Sequence, residues 1–221
     1  MELSILLQYV ILAINPDKGR VSVDGTRFRY TLSGALLMDY LEKGEIAMES
    51  KLLIPSIRKN GDPVHDLYAD LIMKSSKKRK ISAWTRRLAD KSRHIFRESI
   101  SSLEKERILR VERKKFLNLI PISRYWFIDT RFRINIIEEL RGVLLYNRKA
   151  TNKQSMLLGL IKASEAHKLL SKEKDEVKLI RKKNSEFLKG NVFSSEINQV
   201  IKETQAAITA SVIAASIAVR G

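Results

Sequence analysis

No cysteine occurs in the 221 residues, which excludes disulfides, thiolate metal sites and cysteine nucleophiles and fits a reducing, cytoplasmic compartment. Proline (4) and glycine (9) are too scarce to build a linker, and no internal repeat or low-complexity stretch divides the chain, so one domain over residues 1–221 is expected. Three histidines, His65, His94 and His167, stand far apart and outside any H-E-x-x-H spacing, so no metal is expected. His65-Asp66 lacks the further ligands of a metal phosphohydrolase and reads as a pair on a helix surface. G-x-S-x-G, the P-loop and G-x-G-x-x-G are all missing, which leaves no catalytic motif and no cofactor site. Long apolar runs are absent too. The charge-free segment Ala206 to Val219 falls short of the roughly 20 residues that span a bilayer. The opening MELSILLQYVILAI carries Glu2 where a secretory leader is basic and has no small-residue cleavage site, so it reads as a core helix.

Acid is also in short supply. Lys plus Arg total 42 against 25 Asp plus Glu, a formal net charge of +17, so the surface attracts polyanions, of which anionic membranes and nucleic acid are the two candidates. With 44% hydrophobic residues the chain can bury a substantial core.

Helical spacing runs through Leu3, Leu6, Leu7, Val10, Ile11 and Ile14, followed by a turn-rich Asn15 to Gly19 and a short strand at Arg20 to Val23. Leu32 to Lys43 is helical, with Gly44 at the left-handed C-terminal cap, and Ile46 to Ile54 alternates as a strand. Asp62-Pro63 reads as an N-cap and first-turn proline, opening a helix that ends in the basic loop Lys74 to Lys80. Within that loop the run Lys77-Lys78-Arg79-Lys80 has the composition of a nucleic-acid patch and also of a plain solvated loop. Ile81 to Leu103 gives two helices, with Trp84, Leu88, Ile95, Ile100 and Leu103 inward and Arg93 and Arg97 on one outer face. Asp129 is placed to cap a helix reaching Tyr146, Thr151 and Gln154 form a capping box, and a charged helix up to Gly190 precedes a final one from Ser194. Because a helix apolar on all sides must be surrounded, the uncharged final helix is expected at the centre. The fold class is mainly α: a central apolar helix wrapped by amphipathic helices, with a protruding β-hairpin and short strands.

Pro121 and the crowded β-branched and aromatic residues from Ile108 to Ile128 argue for that hairpin, with its turn near Asn118 to Ser123. Its apolar tip, Phe116, Leu117, Leu119 and Ile120, follows Arg113, Lys114 and Lys115. Cations at that depth meet anionic headgroups, worth about 1 kcal/mol each, while the apolar side chains enter the acyl boundary. Tyr125 and Trp126 suit either the headgroup level or the core.

Taken in order, LSGALLMDYLEKGEI (Leu32 to Ile46), GDPVHDLYADLI (Gly61 to Ile72), the Trp84 helix, SLEKERIL (Ser102 to Leu109) and the Ala-rich final helix resemble the Golgi phosphoprotein 3 family from about Leu3 to Ala218. The resemblance implies a mostly helical fold with a buried central helix, a membrane-dipping hairpin and a basic pocket that in eukaryotic members binds phosphatidylinositol 4-phosphate. It implies no catalysis and leaves a homo-oligomer open. The family's pocket tryptophan and arginine correspond to Asp24 and Ser33, and its second arginine pair to Arg93 and Phe96, with Arg97 as a stand-in. Arg27 and Arg29 are candidate replacement phosphate contacts, since arginine grips phosphate through two parallel bonds. This pattern suits a prokaryotic-type member meeting bulk anionic lipid.

The expectation is therefore a cytoplasmic, peripherally membrane-associated binding module that is not an enzyme. Arg93, Arg97, Arg27 and Arg29 would hold anionic headgroups, and Phe116, Leu117, Leu119 and Ile120 would insert. The rival reading is a nucleic-acid-binding protein using the same basic surface, against which stands the absence of a zinc finger, RNP signature or recognition helix. Protein partners leave no trace in the sequence.

Overall fold

A computed structural model describes residues 3–49, 52–59, 61–116, 120–190 and 195–218. Helix α1 (Ile5–Ala13) starts at Ser4, whose side chain accepts the Leu7 N–H. It leads into β1 (Ile14–Asn15), which pairs with β2 (Arg20–Val21). Helix α2 (Gly25–Glu42) follows, and every residue from Thr31 to Tyr40 within it is buried. Its contacts reach α1 and, further along the chain, α4 (Ile81–Ala89), α5 (Ser92–Lys105), α7 (Asn152–Ala163) and α9 (Ser195–Ala218). Its polar residues are satisfied internally: Thr31 Oγ1 donates to Arg27 O and Ser33 Oγ to Tyr30 O. Asp39 accepts the Ile5 and Leu6 N–H groups at 2.6 and 3.1 Å, capping α1 from a neighbouring helix. Gly44, at φ +67°, ends α2 with N–H bonds from Gly44 to Leu41 and from Glu45 to Tyr40, the pattern anticipated for it.

The central helix is thus α2, and the expectation that the final helix takes that place is corrected. In α9, Val200, Thr204, Ala207 and Ile208 are buried, while Lys202, Gln205, Ala206, Thr209 and Ala210 are exposed. Lack of charge does not force burial when the side chains are Ala, Thr and Ser, which have little apolar area to remove from water; the Leu, Met and Tyr side chains of α2 have much more.

The single strand expected over Ile46 to Ile54 is two, β3 (Ile46–Glu49) and β4 (Leu52–Pro55), antiparallel and joined on the far edge by β5 (Arg79–Lys80). Between them lies α3 (Pro63–Met73), with Asp62 accepting the His65 N–H as its cap. His65 corrects the surface reading: its ring is 4% exposed and bridges Glu45 at 2.6 Å and Asp66 at 3.0 Å. The Glu45 carboxylate and the Tyr40 ring, 5.0 Å away, meet it from the end of α2, contacts that local spacing does not encode. The hairpin is β6 (Leu109–Phe116) with β7 (Ile120–Phe127). Since β7 begins at Ile120, residues 121–123 belong to the ladder and not to the turn. Helix α6 (Arg131–Tyr146) has Thr130 at its N-cap without a side-chain bond, and Asp129 instead accepts from the Arg131 N–H and guanidinium. The Thr151–Gln154 capping box opens α7, and two Arg141 bonds to Glu176 (2.7 and 2.6 Å) fasten α8 (Lys174–Gly190) to α6. Ser194 lies outside the described residues.

Two buried groups titrate in opposite senses. Burial pushes the Asp39 carboxyl up to about 6, partly offset by the Leu6 and Ile5 amides. Burial, helped by Arg181, lowers the His167 imidazole to about 4. Between pH 4 and 6 the folded chain therefore holds a proton on Asp39 that the unfolded chain releases, so this term makes stability fall as pH rises. Over nearly the same window the unfolded chain binds a proton at His167 that the fold refuses, so that term makes stability rise. Each amounts to about 3 kcal/mol, and they nearly cancel. Urea midpoints should show Asp39→Asn gaining stability, relative to wild type, as pH rises through the window, and His167→Gln losing it.

Candidate functional site

Helix α5 forms because Ile95, Ser99, Ile100 and Leu103 share its buried face, which leaves Arg93 and Arg97 outward. It ends at Arg107, a non-glycine residue at φ +56°, where the Ile108 N–H bonds to Leu103 O and reverses the chain into β6. The hairpin's inner face is then fixed by aromatic contacts. Tyr125 meets Phe96 edge-on at 5.2 Å, Phe96 meets Phe28 at 5.3 Å, and Phe28 stacks near Tyr9, so β7, α5, α2 and α1 are linked in series. On the outer face Trp126 donates to Glu112 and lies against Gly19, whose carbonyl accepts the Tyr125 N–H. Both rings are thus engaged within the protein.

Between α5 and the hairpin lies a concavity of about 470 Å³. It gathers Arg93, Arg97 and Arg113 with Glu98, Glu104 and Tyr125. Arg97 Nε donates to Glu98 at 3.2 Å and the Arg113 guanidinium stands 3.8 Å from Glu104, whose other oxygen accepts the Val111 N–H. Both arginines are about 70% exposed (70% and 73%), so these pairs are weak and exchangeable. Arg93 is exposed and has no hydrogen bond or ion pair among the described residues. Burial raises the Tyr125 hydroxyl pKa, so it stays a neutral donor at the concavity wall. A hollow of this kind holds an anion by displacing loosely held carboxylates from guanidinium groups.

The other two arginines are elsewhere. Arg27 donates to Glu165 and to Ser164 O at the end of α7, beside Lys168 and Arg181. Arg29 reaches Asp90 and Ala89 O at 3.4 Å, in the turn between α4 and α5. Two residues apart on a helix is about 200° of rotation, so they face away from each other. Phe116 and Ile120 end the ladder as register partners; Leu117 and Leu119 lie outside the described residues. Arg113 joins Arg93 and Arg97 here although nothing close in sequence connects them. Strand parity is the signal that finds it, because Arg113 shares the hairpin face of Val111, which pairs with Tyr125. Nothing in the local spacing marks the carboxylates Glu98 and Glu104 as part of the hollow they line.

Asp24, at the position of the family's tryptophan, is the N-cap of α2, accepting from Thr26 and Arg27 N–H. Ser33, at the position of its arginine, is fully buried. Lys77, Lys78 and Lys80 are exposed, with Lys78 near Glu49. Among the described residues no group of three or more His, Asp or Glu side chains is placed to hold a metal, and no helix is long and apolar enough to cross a membrane.

Comparison with curated proteins finds no match. The sequence does match the profile of Golgi phosphoprotein 3 (GPP34) over residues 6–204, nearly the whole length and including α5, the hairpin and the central helix. The chain belongs to the Golgi phosphoprotein 3 family.

Proposed function

We propose that this protein is a peripheral lipid-binding module that takes anionic phospholipid headgroups into the Arg93, Arg97 and Arg113 concavity and inserts the apolar hairpin tip, Phe116, Leu117, Leu119 and Ile120, into the acyl boundary. The observation that carries the reading is Arg93: an exposed guanidinium without a partner among the described residues, in a hollow walled by the same hairpin that bears the apolar tip. Family membership supports a lipid ligand in general. For the headgroup, the reading is bulk anionic lipid in preference to phosphatidylinositol 4-phosphate. Ser33 has no exposed surface, Asp24 is committed to capping, and neither lines the Arg93 concavity. No catalytic step is part of this function.

Cations supply about 1 kcal/mol each near a charged leaflet, and each Leu taken fully from water about 2 kcal/mol. Flotation on phosphatidylglycerol-containing vesicles should therefore weaken with salt and fall at least about tenfold for Leu117→Asp with Leu119→Asp. Adding phosphatidylinositol 4-phosphate should raise binding only in proportion to its charge. Equal flotation on neutral phosphatidylcholine would remove the electrostatic half of the proposal. A gel shift with mixed DNA and RNA, if tight at physiological salt and steeply salt-dependent, would favour nucleic acid instead.

A further inference from the structure

Arg133 occupies the first turn of α6, where the helix end carries a positive field that Asp129, accepting the Arg131 N–H, offsets in part. Its Nε is buried without an acceptor, and its one hydrogen bond among the described residues is a long one, Nη2 to Leu169 O at 3.4 Å. Burial lowers its pKa, and Asp17, the carboxylate whose field reaches it, is held by Lys172 at 2.7 Å. The guanidinium faces a hollow of about 390 Å³ that also receives Lys168, Lys172, Ser22 and Ser171, and no carboxylate lines it. Lys168 is exposed and has no ion pair among the described residues. A half-buried guanidinium whose nearby carboxylate, Asp17, is already held by a lysine has little counter-charge to offset its desolvation. Setting one at the positive end of a helix beside two lysines is an arrangement that an external anion would complete.

We propose that this hollow binds a phosphate-class oxyanion, gripped by the terminal Nη groups of Arg133, with Lys168 supplying the second charge. The planar fork matches two oxygens of a tetrahedral oxyanion, and the volume admits a phosphate monoester. The hollow shares no lining residue with the Arg93 concavity, so the two sites are independently testable.

Thermal unfolding and calorimetric titration of the full chain with sodium phosphate, against sodium chloride at equal ionic strength, test it. Phosphate should raise the melting temperature of wild type and of Arg93→Glu, binding once per chain in the latter. Arg133→Met should lose the phosphate response yet melt no lower than wild type in its absence, which a purely structural arginine would not do. If Arg133→Met fails to fold, Lys168→Gln takes its place, with an expected loss in phosphate affinity of about tenfold. Flotation of wild type and Arg133→Met on phosphatidic acid vesicles separates the two sources of the group: loss of flotation assigns a lipid phosphate, and a phosphate response with unchanged flotation assigns a soluble one. An equal phosphate response in wild type and variant overturns the proposal, as does no response in wild type together with equal flotation.

Discussion

Arg93→Glu is expected to weaken binding to phosphatidylglycerol-rich vesicles by about thirtyfold. A cation near an anionic leaflet contributes about 1 kcal/mol, so reversing its sign removes one attraction and adds one repulsion, about 2 kcal/mol in all. Arg93 is chosen because it has no hydrogen bond or ion pair among the described residues, whereas Arg97 and Arg113 already share their charge with Glu98 and Glu104. The substitution sits on an exposed face of α5, so folding should be unaffected. The informative control is the same reversal at Lys182, exposed on α8 and outside the concavity. Flotation that falls equally for both would mean that net charge, and not the hollow beside the hairpin, draws the protein to the membrane.

Gly34→Ala should destabilise the fold by about 2 kcal/mol, because inserting a methyl into a filled core forces its neighbours apart. A Cβ there would stand 2.6 Å from Thr204 Oγ1 and 3.1 Å from Leu160 Cδ2, at the point where α2 meets α9 and α7. In a domain of this size the melting temperature should drop by about 4–8 °C. The cause can be isolated, since Thr204 Oγ1 is buried without a hydrogen-bond partner and Thr204→Ala alone should cost little. Combined, the two substitutions should recover most of the loss, a favourable coupling of about 1 kcal/mol or more in a double-mutant cycle. Additive losses would show that the clash lies elsewhere.

Local codes read well. The Asp62-Pro63 start of α3, the Thr151–Gln154 box and the Gly44 cap each involve residues within one helical turn, and each is where the sequence places it. The hairpin followed from Pro121 and from β-branched and aromatic crowding, and family membership from five apolar motifs in order. What spacing does not encode is which surfaces meet. His65 looked like half of a surface pair until Glu45 covered it. Asp39 looks like a stray acid inside an apolar helix until the amides of Ile5 and Leu6, more than 30 residues away, are set against it. The final helix looked central because its stretch from Ala206 onward lacks charge, yet small side chains gain little from burial and α2, richer in large apolar groups, holds the centre.

The same division runs through the candidate site. Sequence by itself determined the positive surplus, the apolar tip between cations, the helix ends and the family, because these depend on composition or on neighbours a few residues apart. Tertiary structure decided that Arg93, Arg97 and Arg113 face one hollow, that Arg27 and Arg29 turn away from each other to Glu165 and Asp90, and that Arg133 lines a second hollow with Lys168 and Lys172. Those outcomes depend on side chains from distant segments competing for the same buried space, and helix phase, strand parity and packing determine them together.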